Sequence, residues 1–342
     1  MVEINIKDGD DGQRLNKFLM KYLNEAPSSF IYKMLRKKNI VLNDKKAKGD
    51  EILANGDILK LYLSDDTISN FRGKSKTKDK QDSAVAKKTG TRDLSQYLNI
   101  LYEDKDIIAV HKDVGILSQK ATIKDYSINE AIVDYINNND KYLHSETFKP
   151  SVCNRLDKNT SGIILAGITL KGSQYLSRVL KDRSLDKYYY TLVKGEVGRQ
   201  MTCQAYINKD HKNNVSKVIS SQEYEQLKLK KGFNSKDYSC IKTEFIPIST
   251  NKDNTLLKVK LITGKSHQIR AHLKFLGYPM AGDIKYGDKF YNSYMKEKYN
   301  LSTHLLHAGI VELNEDVIIK DPLPEIFIKI CKGEGLDYSK II

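Results

Sequence analysis

The stretch NRLDKNTSGIILAG, residues 154–167, sets a carboxylate, Asp157, between Arg155 and Lys158. The small-residue turn Thr160-Ser161-Gly162 and the apolar run Ile163-Ile164-Leu165-Ala166 follow at once. A short apolar run bounded by turn residues reads as a buried strand, so the charged trio stands at that strand's mouth. Taken alone, such an aspartate is most often a turn cap or half of a structural ion pair. Its surroundings decide whether it is more. An amphipathic helix follows in TLKGSQYLSRVLKD (169–182), with Leu170, Tyr175, Leu176, Val179 and Leu180 on one side. Strand-like segments come next at 187–197 (KYYYTLVKGEV), 242–249 (KTEFIPIS) and 254–263 (NTLLKVKLIT). Upstream, LNILYEDKDIIAVHKDVGILS (98–118) reads as strand, turn and second strand ending near Gly115, and SINEAIVDYINNN (127–139) as a helix. Strands interspersed irregularly with few helices predict an α+β domain on a mixed sheet over 96–342.

A second informative stretch is TGKSHQIRAHLKFLGYP (263–279). A strand ends at Thr263-Gly264, Ser266 is the expected N-cap, and Gly277 and Pro279 mark the stop. Ile269, Leu273 and Leu276 form the buried stripe of this helix, and His267 and Arg270, three apart, share a face. A helix start carrying Lys265, His267 and Arg270 suits a phosphate or a carboxylate, because dipole and cations add there. The same residues would serve equally as the exposed face of an amphipathic helix. No metal is expected: His267 and His272 are five apart, not the four that aligns two ligands on one helix face. His304 and His307 are three apart without a neighbouring Cys or carboxylate in sequence to complete a set. No GxxxxGK[ST], GxGxxG or GxSxG sequence occurs, so no nucleotide cofactor and no nucleophile elbow are expected.

The bulk properties point to a polyanionic partner. At 342 residues two domains are the expectation, and a formal charge of +14 favours nucleic acid ahead of an anionic membrane. No apolar run approaches the roughly 18 residues of a membrane span, and MVEINIKDGDDG lacks the pattern of a secretory signal. The four cysteines are scattered, which fits a reduced cytoplasm. Residues 1–63 read as a small α+β unit. Helices are expected at GQRLNKFLMKYLN and FIYKMLRKKN, and short strands are punctuated by Asn43-Asp44 and Asn55-Gly56-Asp57. Residues 12–62 hold eleven Lys or Arg against five Asp or Glu. Residues 64–95, polar and without periodicity, read as a flexible linker, either trailing basic side chains along RNA or a solvated tether.

Two short helices and a small sheet with a basic edge resemble the S4 RNA-binding domain, through QRLNKFL, IYKMLRKKNIVLND and NGDILKLYL. Those segments read RLN and LND where that family commonly has RLD and VNG. NRLDKNTSGIILAG, LDKYYYTLVKG and LITGKSHQIRAHLKFLGYPMAGD resemble successive motifs of the RluA-type RNA pseudouridine synthases. LYEDKDIIAVHKDVGILS upstream and LLHAGIVEL downstream match further segments in the expected order.

The resemblance implies the pseudouridine synthase fold, a mixed and mainly antiparallel sheet flanked by helices, with an S4-like companion at 1–63. It implies isomerisation of uridine to pseudouridine in structured RNA, with 23S ribosomal RNA or a ribosome precursor as partner, by a monomer. That reaction breaks N1–C1′, rotates the base and rejoins it through C5, with no net redox change and hence no required cofactor. Asp157 matches the catalytic aspartate, Tyr189 the active-site tyrosine, and Arg270 the arginine that pairs with the aspartate, expected here through two hydrogen bonds. Arg155 matches the residue that fills the gap left by the flipped-out uridine. Lys112, Lys187, Lys265 and His267 are expected RNA contacts of the catalytic domain, and Arg14, Lys33, Arg36 and Lys37 those of the N-terminal unit. The chain departs from the family pattern at Asn154 (usually His), at Lys265 (usually Arg) and at KDVG in place of KPxG. Three alternatives stay open: a transfer-RNA synthase of the same family, a non-catalytic RNA-binding or assembly factor, and a hydrolase of nucleosidic bonds.

Overall fold

The computed structural model describes residues 1–72, 98–122, 125–139, 145, 147–210 and 215–341. The N-terminal unit comprises β1 (Val2–Asn5), α1 (Leu15–Tyr22), α2 (Ser28–Arg36), β2 (Ile40–Leu42), β3 (Lys45–Lys46), β4 (Ile58–Leu61) and α3 (Asp65–Phe71). Its four strands run in the order β1-β4-β2-β3. The tight β2–β3 hairpin turns on Asn43 and Asp44, both at positive φ (50° and 61°), as a two-residue hairpin loop of type I′ requires. Leu15, Phe18 and Leu19 of α1 and Ile31 and Leu35 of α2 close a core over Leu59 and Leu61 of β4.

The expected linker starts later than residue 64. Ser64 caps α3 by accepting from the Thr67 N–H at 3.3 Å. Ile68 and Phe71 then pack into the N-terminal core, with Phe71 against Phe30 at 4.6 Å between ring centres. One apolar pair three residues apart suffices to dock this short helix. The rest of the expected linker, 73–95, lies outside the described residues.

The second unit is built on β5 (Ile100–Glu103), β6 (Ile107–Lys112), α4 (Ile128–Asn137), β7 (Ser151–Val152), β8 (Ser161–Gly167), α5 (Leu170–Asp182) and β9 (Asp186–Lys194). It continues with β10 (Met201–Asp210), β11 (Val215–Ile219), α6 (Ser221–Lys228), β12 (Tyr238–Thr250), β13 (Asn254–Leu261) and α7 (Gln268–Phe275). The last elements are α8 (Lys289–Tyr299), β14 (Leu306–Glu312), β15 (Ile318–Lys320) and α9 (Glu325–Gly333). The sheet has eleven strands in the order β11-β10-β12-β13-β9-β14-β8-β6-β5, with β15 on β14 and β7 on β8. Only the β14–β8 pair is parallel among the described pairings, so the sheet is mixed and mainly antiparallel.

Strand alternation divides the core. Ile164 and Ala166 of β8, Tyr189 and Val193 of β9 and Val259 of β13 face Ile132 of α4 and Ile269 and Leu273 of α7. Ile163 and Leu165 face Leu176 and Val179 of α5, while Tyr190 and Leu192 face α8 and α9. The β8 strand is buried on both faces, which is why it reads as a continuous apolar run. Gly162 makes the parallel pair possible: a β-carbon there would sit 2.4 Å from the Ala308 carbonyl oxygen. No helix among the described residues is long and apolar enough to cross a membrane.

Candidate active site

Asp157 lies in the turn between β7 and β8, and that turn is clamped on both sides. Asn154 works as a side-chain rung of the sheet. Its amide nitrogen donates to the Ile163 carbonyl at 3.1 Å and its amide oxygen accepts from the Leu165 N–H at 2.7 Å. An amide carries both a donor and an acceptor at one end, so it satisfies two β8 backbone groups at once. The Ser118 hydroxyl donates to the Leu156 carbonyl at 2.9 Å and accepts from the Leu156 N–H at 3.0 Å. Past the aspartate, Thr160 N–H closes the turn onto the Asp157 carbonyl at 3.0 Å, and His304 Nε2 lies 2.8 Å from the Thr160 hydroxyl.

Lys112, an expected RNA contact, is 0% exposed. Its ammonium donates to the carbonyls of Asp113, Ile116 and Lys158 at 2.9, 2.9 and 3.1 Å. Burial pushes it down to about 8, against the pull of Asp113 and Asp157. With its three donors spent on backbone it ties the loop after β6 to the residue following Asp157, and it is out of reach of RNA.

Arg270, in the first turn of α7, faces Asp157 across the cleft. Its Nη1 donates to Asp157 Oδ2 at 2.8 Å. The expected two-bond pairing goes elsewhere: Nε and Nη2 donate to Asp283 Oδ2 and Oδ1 at 2.7 and 2.8 Å. The Asp283 side chain is fully buried. Burial would raise its carboxyl, but the Arg270 bonds and charge outweigh it and hold it below the usual range. Asp283 also accepts from the backbone N–H groups of Lys285 and Tyr286. The guanidinium is thus locked from behind and presents one N–H to Asp157. The Asp157 side chain is 29% exposed, and its Oδ1 has no hydrogen-bond partner among the described residues.

Ser266 does not cap α7. His267 occupies the N-cap in the left-handed region (φ 57°) without a side-chain cap bond. Gln268 braces the approach instead, its side-chain oxygen accepting from Thr263 Oγ1 and the Lys265 N–H. This geometry turns the His267 ring toward the cleft, with Nε2 3.8 Å from Asp157 Oδ2. Burial first, and then the nearby cations, hold that imidazole below its ordinary range.

Tyr189 projects from β9 into the same cleft, 7% exposed, and its hydroxyl is pushed up by burial and then by the Asp157 charge, which keeps it protonated. Lys187, two residues earlier on the same side of the strand, is half-buried and pushed down by that burial. Asp157, Tyr189, Arg270 and His267 line a cavity of about 460 Å³. Arg155, Arg183, Lys187 and Lys265 add four cations to its wall. Arg14, Lys33, Arg36 and Lys37 are exposed on the N-terminal unit and do not line it. No group of three or more His, Cys, Asp or Glu among the described residues is placed to hold a metal ion.

Sequence reasoning misses Asp283 and His304 and misassigns Lys112. Asp283 closes the segment LITGKSHQIRAHLKFLGYPMAGD with no pattern to mark it, and its partner becomes evident only when the turn before α8 folds against α7. His304 reads in sequence only as a possible metal ligand.

The family model described as RNA pseudouridylate synthase matches residues 106–275. The ribosomal large subunit pseudouridine synthase C of Vibrio vulnificus is 26% identical over 307 residues, covering 90% of this chain and 86% of that protein. The protein of the same name from Buchnera aphidicola is 28% identical over 341 residues, covering 96% of each. Among solved structures, human RNA pseudouridylate synthase domain containing 4 aligns with a TM-score of 0.58 at 19% identity, over 71% of this chain and 96% of that one, which shows the shared fold. Residues 106–275 are an RNA pseudouridylate synthase domain, the domain of isomerases that convert uridine in RNA to pseudouridine.

Proposed function

We propose that this protein isomerises specific uridines of large-subunit ribosomal RNA, with Asp157 as the reacting carboxylate. The observation that carries the assignment is the cleft in which Asp157, held through Oδ2 by an arginine that Asp283 locks, leaves Oδ1 open beside Tyr189. The target uridine flips out of its stack, at a cost of a few kcal/mol that contacts to flanking RNA offset. Arg155 fills the vacated space, and Lys187 and Lys265 meet the backbone. Asp157 Oδ1 attacks C1′ or assists departure of the base as N1–C1′ breaks. The base turns and C5 bonds to C1′, and any bond that Asp157 has made to C1′ breaks as the carboxylate leaves with its electron pair. C5 then loses its proton and N1 ends protonated, which balances the isomerisation. Tyr189 stacks its ring on the uracil and offers its hydroxyl for proton transfer.

In this reading residues 1–72 are an S4-type module that grips RNA phosphates through Arg14, Lys33, Arg36 and Lys37, and the enzyme works as a cytoplasmic monomer without a cofactor. The large-subunit target is supported by the bacterial relatives, which are ribosomal large subunit pseudouridine synthases C by name. RNA carrying tritium at uridine C5 releases it to water on conversion. Asp157→Asn and Asp157→Ala should abolish that release while RNA binding stays largely intact. Full activity in either variant overturns the assignment. Pseudouridine maps of total RNA from wild-type and deletion strains identify the target. A missing position in transfer RNA, with ribosomal RNA unchanged, overturns the ribosomal substrate.

A further inference from the structure

Ser216 and Tyr286 have no part in the steps above, yet they lead to the imidazole beside Asp157. The Ser216 N–H, in β11, donates to the Tyr286 phenolic oxygen at 2.6 Å. The same oxygen lies 2.9 Å from His267 Nδ1, and His267 Nε2 lies 3.8 Å from Asp157 Oδ2. Tyr286 is 2% exposed; the Ser216 N–H can only donate to its oxygen, and His267 Nδ1 is an acceptor 2.9 Å from its hydroxyl. A buried hydroxyl proton left without an acceptor is costly, so the phenol donates to Nδ1. In the neutral ring the remaining N–H then stands on Nε2, toward Asp157.

We infer that His267 is a positioning residue for the isomerisation: a neutral Nε2–H donor, its tautomer set by Ser216 and Tyr286, that joins Arg270 in holding Asp157 Oδ2 and leaves Oδ1 for the ribose carbon. At 3.8 Å the contact is longer than a hydrogen bond, and it closes when uridine enters, as catalytic hydrogen bonds commonly tighten in the substrate complex. Left-handed backbone at a non-glycine residue marks a place where the surrounding structure enforces an orientation, and His267 adopts it at φ 57°. The other groups facing the ring are Arg270 on α7, Lys285 in the turn before α8, Lys209 on β10 and His304 before β14. The three cations among them oppose protonation of the ring, so Nε2–H is supplied by the tautomer and not by an imidazolium.

The inference rests on Asp157 as the reacting carboxylate, so Asp157→Ala runs beside the test variants in the tritium-release assay on total RNA from a deletion strain. His267→Ala should lower kcat on the order of ten- to a hundred-fold, the scale of a small misplacement of reacting groups, with KM for RNA nearly unchanged. His267→Gln should recover most of that loss, because its amide N–H reaches the position of Nε2–H. Tyr286→Phe, which removes the donor to Nδ1 and frees the tautomer, should lower kcat with KM for RNA nearly unchanged. Wild-type kcat in His267→Ala, or in Tyr286→Phe, overturns the relay if Asp157→Ala is inactive. An active Asp157→Ala overturns the underlying assignment instead. If His267→Ala proves unfolded by circular dichroism, the Gln and Phe variants decide.

Discussion

At the scale of single residues, Arg270 carries two duties that a sequence cannot separate. Its fork is mostly spent on Asp283, and one N–H is left for Asp157. Arg270→Ala strands a fully buried carboxylate, which costs about 3–5 kcal/mol. Thermal melts should show a clear drop in stability, with turnover abolished as well. Arg270→Lys keeps the charge but cannot serve two carboxylates with one compact ammonium. It should therefore fold better than the alanine variant in the same melts and still turn over poorly in the tritium assay. Asp157, Tyr189 and Arg270 are legible as candidates because each sits in a family motif. Lys112 is misread for a physical reason: a lysine after an apolar strand looks solvated in sequence, and only the folded loop supplies the three carbonyls that bury it. Asn154, unexplained as a letter, is accounted for once β8 lies beside it.

At the scale of elements, apolar periodicity places the strands and most helices well, since their buried faces repeat at two or 3.6 residues. It fails where the pattern is short. β1 has four residues and α3 only one apolar pair inside a polar stretch. The Ser266 cap fails because His267 takes the left-handed N-cap to aim its ring. Helix α7 also makes the fold sensitive to acid. His272 is 0% exposed, with Nδ1 near the Thr243 hydroxyl and its ring edge-on to Phe245, and burial pushes it down to about 4. The folded state therefore prefers the neutral ring. Its stabilising contribution is complete above the unfolded value of about 6.5 and declines as pH falls from there to about 4, a total of roughly 3 kcal/mol. His272→Gln, which does not titrate, should make urea-unfolding free energies less steep across that window, by up to about 1.4 kcal/mol per pH unit.

For the whole molecule, polar contacts among the described residues join the two units. Asp10 Oδ1 accepts from Ser145 and Thr147 of the second unit, at 2.5 and 2.7 Å, and Gln13 donates to both Asp10 and Thr147. In the proposed function, Lys33, Arg36 and Lys37, which are exposed and do not line the cleft, are further contacts for RNA phosphates. Replacing all three with alanine should weaken RNA binding and flatten the dependence of log affinity on log salt, by roughly 0.7–0.9 for each phosphate that the protein ceases to neutralise. Filter binding across a salt series measures this. An unchanged slope would remove these residues from the RNA interface.

The sequence by itself determined the class of fold, the order of its elements and which carboxylate to suspect, because buried strands, amphipathic helices and family motifs are local patterns. The tertiary structure decided which groups hold that carboxylate. Arg270 is 113 residues from Asp157, and Lys112, Ser118 and His304 reach its turn from other elements. The energies of such interactions depend on burial and on the competition of several partners for one group, neither of which is written in any local stretch of chain.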